Sequence, residues 1–248
     1  MRASLVSLVC FLRGLPLFFS ARPRTPLRVL CIIALDTVHV LRNGRLLPRS
    51  RCKQLAAFLD FQACTNALWD GKDLCEPEYR ALRQRLESVG LGVWITEYVS
   101  RLREVETRRP SIGGDLQRFD DARSYREAVA RVSLATITAI ALNAECLDEG
   151  VRATYCDSDV EVLFRMTMQC QIIDDVIDYR QDLAAGLPSF LTACASLPQA
   201  IALTAGAVPF YAASRVRSAG AGVFPLEAAL HVITLVTRLV VRVARRRG

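Results

Sequence analysis

The 248-residue chain predicts an all-α fold in a single domain spanning 1–248. Three features carry that expectation. The chain is 52% hydrophobic, much of it Ala, Leu and Val in long stretches that few of its 13 Gly and 10 Pro interrupt. Apolar residues recur at helical spacing from end to end, and strand-type alternation is nearly missing. The length is also sufficient to bury one sizeable core without dividing the chain.

Periodicity and stop signals outline the elements in order. Segment 27–41 stops at Asn43-Gly44, 50–69 at Gly71, and 77–89 at Gly90. Segment 93–107 follows, then 124–147 ending at Gly150, then 157–185 ending at Gly186-Leu187-Pro188. Shorter helices fill the chain past Pro188, and 226–247 closes it. The least charged stretch, 194–214, carries Pro198, Gly206 and Pro209 and reads as a buried helix pair. Residues 108–121, with Arg108-Arg109-Pro110, Gly113-Gly114 and Asp120-Asp121, form the one long turn-rich connection and a candidate mobile loop. In the opening residues 1–20, Arg13 interrupts the apolar run that a secretory signal needs, so a first helix or a ragged end is expected.

Nine scattered cysteines, with no Cys-x-x-Cys pair and only two histidines, argue against a disulfide framework or structural zinc. Free, mostly buried thiols suit a reducing, cytoplasmic setting. The net charge of +7 gathers in Arg-rich stretches such as 22–28, 42–51 and 245–247. Basic stretches on an apolar protein point to anionic lipid or diphosphate. Nucleic acid is not expected, because no aromatic and basic residues interleave as a base-stacking platform would require.

The chemistry concentrates in Cys170-Gln171-Ile172-Ile173-Asp174-Asp175-Val176-Ile177-Asp178-Tyr179-Arg180-Gln181-Asp182. On a helix, Asp174, Asp178 and Asp182 fall at i, i+4 and i+8 along one stripe, with Asp175 beside them and Gln171 on the same side. Stacked like charges repel unless a cation lies between them. Met166, Met168, Ile172, Ile173, Val176 and Ile177 surround the stripe, so the acids sit in an apolar helix rather than on a solvated face next to Arg165 and Arg180. Hard divalent ions such as Mg²⁺ take carboxylate oxygens together with waters and substrate phosphates.

This run resembles the second aspartate-rich motif of trans-polyprenyl diphosphate synthases, and with Asp182 and Gly186-Leu187-Pro188 it is similar to the second motif of squalene and phytoene synthases. Tyr125-Arg126-Glu127 and Ser133-Leu134-Ala135-Thr136 resemble the helix that precedes it, so the likeness spans residues 125–191. The resemblance to class I isoprenoid synthases implies a helical barrel of the terpenoid synthase type around an apolar cavity. It also implies two acidic helices at the mouth that grip three Mg²⁺ and an isoprenoid diphosphate, whose ionisation yields an allyl cation. Such chemistry needs charge neutralisation of the leaving group and a dry apolar wall.

The family's first motif, two Asp followed by another acid, has no match in the first half of the chain. The nearest stretch is 60–73, where Asn66 and Asp70 lie one turn apart on a helix and Asp73 would join them if the helix survived Gly71. Metal ligation is therefore expected from Asp174, Asp175, Asp178, Asp182, Asn66 and Asp70, with Asp174, Asp178 and Asp70 catalytic. The Asn66 face should look across a cavity lined by Phe61, Leu68, Leu134, Ile137 and Ile173. Ala34-Leu35-Asp36-Thr37-Val38 looks like the start of a squalene synthase first motif, but His39 and Val40 follow where acids should, and the likeness is taken as chance. For diphosphate contacts the resemblance calls for cations, which Lys72, Arg118 and Arg180 offer, with Arg123 and Arg131 as further choices. The lysine usual in the preceding helix has no counterpart near Ser133, which favours a cyclase or head-to-head reaction over chain elongation.

Two other classes stay open. The same fold with a degenerate first motif could bind diphosphate without turnover. Alternatively, 226–247, where Arg238, Arg242 and Arg245–Arg247 are set among apolar residues, could lie on a membrane or form a barrel wall with a solvated arginine edge. Peripheral membrane contact and a homodimer are both compatible with the sequence.

Overall fold

A computed structural model describes residues 25–71, 76–212 and 224–247, and these form ten helices with no strand among them. They are α1 (Thr25–Asn43), α2 (Arg49–Trp69), α3 (Glu76–Ser88), α4 (Gly92–Glu106), α5 (Leu116–Leu142), α6 (Leu147–Cys156), α7 (Ser158–Ile177), α8 (Tyr179–Ala185), α9 (Leu197–Ala212) and α10 (Phe224–Arg247). The all-α expectation holds. Residues 1–20, Lys72 and Asp73 lie outside the described residues.

Most boundaries follow local chemistry. Asp115 caps α5 by accepting the Arg118 N–H, and Asp157 caps α7 by accepting from Asp159 and Val160. The turns after α2 and α3 place Gly71 and Gly90 at φ 78° and 80°, where a side chain would be strained.

Three boundaries depart from the expectation. The helix assigned to 124–147 begins at Leu116 and ends at Leu142, where Asn143 takes a left-handed conformation at φ 54°. Asn tolerates that region and so stops the helix without glycine. Gly150 is no stop at all. It lies inside α6, where an added Cβ would come within 2.2 Å of the Ala135 carbonyl oxygen, so α6 approaches the backbone of α5 closely there. The stretch 194–214 holds one described helix, α9, with Pro209 inside it. Buried side chains of α7 serve its last turn: Gln169 donates to the Val208 carbonyl at 3.0 Å and Arg165 to that of Phe210 at 3.2 Å. Carbonyls at a helix C-terminus lack intrahelical donors, and a proline removes one more.

A single hydrophobic cluster runs through the helices. At one end, α2, α3 and α4 meet in an aromatic group. There Phe61 stacks on Tyr79 at 5.1 Å between ring centroids, and Phe58 meets Tyr98 edge-on at 5.8 Å. Around the other end, α7 is central and packs against α5, α6, α9 and α10. Asp36 on α1 is buried and accepts the Leu47 N–H at 2.7 Å, which anchors the turn between α1 and α2. Its place in the sequence decoy thus has a structural explanation.

Candidate functional site

α7 and α8 carry the acidic stripe. The stripe was expected on one unbroken helix, but the helical ladder is interrupted at Asp178, whose φ of −94° and ψ of 8° lie in the sparsely populated bridge region. The helical course resumes at once, since the Asp178 N–H still reaches the Asp174 carbonyl at 2.8 Å and the Asp182 N–H reaches that of Asp178 at 2.9 Å. The break leaves the three acids on one side.

Asp174, Asp178 and Asp182 line one wall of a cavity of about 700 Å³ including its open mouth, and Asn66, Trp69 and Asp70 at the end of α2 line the same cavity. Glu106, Arg109, Tyr125, Arg126 and Val129 from α4, α5 and the loop between them complete it, with Leu187 and Pro188 beyond α8. The stretch carrying Asn66 and Asp70 therefore faces the second acidic run across a shared space, as the chain order suggested.

Five carboxylates, those of Asp70, Glu106, Asp174, Asp178 and Asp182, line this space with two guanidinium groups, Arg109 and Arg126, among the described residues. Arg109 bonds Asp70 at 2.8 Å and Glu106 at 3.2 Å, and the Tyr125 hydroxyl donates to Glu106 at 2.6 Å. Burial and that bond to Glu106 push the Tyr125 phenol up, so it stays a protonated donor. Burial chiefly, then the nearby Asp175 charge, lifts the Asp182 carboxyl to about 6. Asp182 thus holds its proton more readily than an ordinary carboxylate, and a cation beside it would remove that reluctance to ionise.

Asp175 takes a different place. It is 1% exposed, and one oxygen binds the Arg126 guanidinium while the other accepts the Phe190 N–H at 2.7 Å. Grouped with the ligands by sequence, it points away from the cavity and pins the segment after α8 to α5 and α7. Among the cations expected at the site, Arg180 is exposed on α8 and Arg118 sits in the first turn of α5, and neither lines the cavity. Lys72 is among the residues not described. The structure offers Arg109 and Arg126 instead. Arg126 stands one turn before Val129 on α5, and its sequence signal was its place in Tyr125-Arg126-Glu127; Arg109, in a loop beside Pro110, gave none.

No family model, curated protein or solved structure matches this chain. Its chemistry therefore rests on its own geometry. Among the described residues no three His, Cys, Asp or Glu side chains form a self-sufficient metal site. Carboxylates stand on both walls of the cavity, and hard divalent ions take such oxygens together with waters.

A second space, apolar and about 420 Å³ counting the solvent it opens to, lies further along the same helices. Leu134 and Ile137 of α5 and Leu163, Met166, Thr167 and Cys170 of α7 line it, with Cys31, Ala34 and Leu35 of α1 and Ile233 of α10. Of the five residues expected around the cavity, Leu134 and Ile137 are found here. Phe61 is instead fully buried in the aromatic group, and Leu68 and Ile173 line neither space. Burial raises the Cys31 thiol to about 12 and that of Cys170 to about 11, so both remain neutral in this apolar setting.

The connection expected as a mobile loop over 108–121 is half helix, because α5 begins at Leu116. What remains is tied down: the Gly113 N–H donates to the Thr192 carbonyl at 2.9 Å, and the Ala195 N–H donates to that of Gly114 at 3.2 Å.

Proposed function

We propose that this chain is a Mg²⁺-dependent enzyme acting on an isoprenoid diphosphate, with a helical barrel of the class I terpene synthase or prenyltransferase type. The observation that carries the reading is the convergence of Asn66 and Asp70 with Asp174, Asp178 and Asp182 on one cavity.

Asp174, Asp178 and Asp182 on one side and Asn66 and Asp70 on the other would hold Mg²⁺. Mg²⁺ held there would supply charge neutralisation for a diphosphate leaving group. Arg109 and Arg126 line the same cavity and would share their remaining N–H groups with phosphate oxygens there, while the Tyr125 hydroxyl holds Glu106 in place. Trp69 adds an aromatic system to the place where the allylic carbon becomes positive. In this reading the hydrocarbon chain enters between the side chains of the apolar space, which part to admit it, since its enclosed volume is only about 30 Å³. From Asp174 to Leu163 along α7 is roughly 16 Å at the helical rise, a depth that suits a chain of a few isoprene units. The dry lining keeps water from the cation.

Binding without turnover is the second reading. It is favoured by Arg109, which already neutralises Asp70, the carboxylate that α2 brings to the cavity from its C-terminal cap. Incubation with geranyl, farnesyl and geranylgeranyl diphosphates plus Mg²⁺, with products read by mass spectrometry, separates the two. A terpene or a longer prenyl product supports the enzyme, and unchanged substrate with measurable binding supports the second reading.

A further inference from the structure

Helix α10 has two apolar faces, and among the described residues only one of them is covered. Leu226, Leu230, Thr234, Thr237 and Val241 are buried against α7 and α9. Val232, Leu235, Val236, Leu239 and Val243 are 38–58% exposed. At about 100° per residue the exposed five fall within roughly 100° of arc, opposite the buried face. This is a continuous stripe, not scattered surface residues, and such stripes mark interaction sites.

The charge beside the stripe is of one sign. Arg238, Arg242, Arg245 and Arg246 are exposed along one edge of it, and the helix has a single acid, Glu227, in its first turn. A second copy of the chain docking through the same stripe would bring an identical cationic edge and no counter-charge. An anionic bilayer surface supplies both things the helix lacks: apolar volume for the five side chains and phosphate for the arginines. Among the described residues no single helix is long and apolar enough to cross a membrane.

We propose that the outer face of α10 is a peripheral membrane-binding surface, with its apolar stripe lying in the headgroup region of an anionic bilayer and Arg238 and Arg242 on lipid phosphates. The inference goes beyond the proposed chemistry and does not depend on it.

Flotation of the full chain with vesicles tests the idea, using phosphatidylcholine alone and a 3:1 mixture of phosphatidylcholine and phosphatidylglycerol. The chain should float with the mixture and far less with phosphatidylcholine, and 0.5 M salt should weaken the binding. Arg238→Gln with Arg242→Gln should lower partitioning by roughly 25-fold, at about fivefold per arginine. Leu235→Glu with Leu239→Glu should abolish it while the helical circular dichroism is unchanged, since both side chains point outward. Failure of the unmodified chain to float, equal flotation with both vesicle types, or indifference to both double variants would overturn the proposal. So would a dimer in sedimentation velocity that the leucine double variant splits, which would assign the stripe to a second copy.

Discussion

Arg126 on α5, which lines the acidic cavity, and the buried Asp175 on α7 form an ion pair, and the second Asp175 oxygen holds the Phe190 N–H at 2.7 Å. The pair fixes the spacing of the two helices that carry the site's walls. It also sets the segment after α8, from which Leu187 and Pro188 line the cavity. Removing one partner leaves a charge with no counter-ion in a medium that solvates it poorly. Arg126→Met should therefore destabilise the protein by about 3–5 kcal/mol. Urea unfolding followed by circular dichroism measures this, and a loss under about 1 kcal/mol would show that Asp175 finds another partner.

Gly150 gives a second test. Its position 2.2 Å from the Ala135 carbonyl, measured from an added Cβ, involves backbone that cannot yield as a side-chain tip would. Gly150→Ala should cost about 1–3 kcal/mol through overpacking, despite the better helix propensity of alanine. A stabilised variant in thermal unfolding would contradict the close approach of α5 and α6.

How much of this was legible beforehand differs by element. That Asp174, Asp178 and Asp182 fall on one side, and Asn66 and Asp70 on another, could be read because the spacing of polar residues on a helix is a local property. Asp175 could not be separated from Asp174, because which of two adjacent acids faces a cavity depends on where the neighbouring helix supplies Arg126. Gly150 misled for a related reason: glycine serves both as a stop and as a crossing point, and only tertiary packing distinguishes them. Arg109 was invisible because its partner Asp70 lies 39 residues away, with α3 and α4 between them. The break at Asp178 leaves no mark in the sequence pattern, which continues undisturbed through it.

Asp182 predicts a pH dependence in the metal-free protein. Its carboxyl lies at about 6 in the folded chain, above the ordinary value near 3.8 that it regains on unfolding. Between those values the folded state binds more protons than the unfolded one, so stability falls as pH rises through that window. In the presence of EDTA, the melting temperature of Asp182→Asn should decline less between pH 4 and 6.5 than that of the unmodified chain, and parallel curves would show that Asp182 titrates normally.

The link between residues 113–114 and the segment after α8 predicts slow amide exchange. Gly113 and Ala195 donate across that link at 2.9 and 3.2 Å and should be protected in the free protein. Exchange of Gly113 at the rate of an unstructured peptide would restore the freely mobile connection.

Asp174 provides the most direct measurement of the central claim. Isothermal titration of the chain with a non-ionisable farnesyl thiolodiphosphate, with and without Mg²⁺, should show binding that requires the metal. Asp174→Asn removes a charge from the wall that faces Asn66 and Asp70, and it should reduce that binding by at least tenfold, about 1.4 kcal/mol, while leaving the melting temperature unchanged. Equal affinity in the two proteins, or binding indifferent to Mg²⁺, would contradict the assignment of this cavity to a metal-held isoprenoid diphosphate.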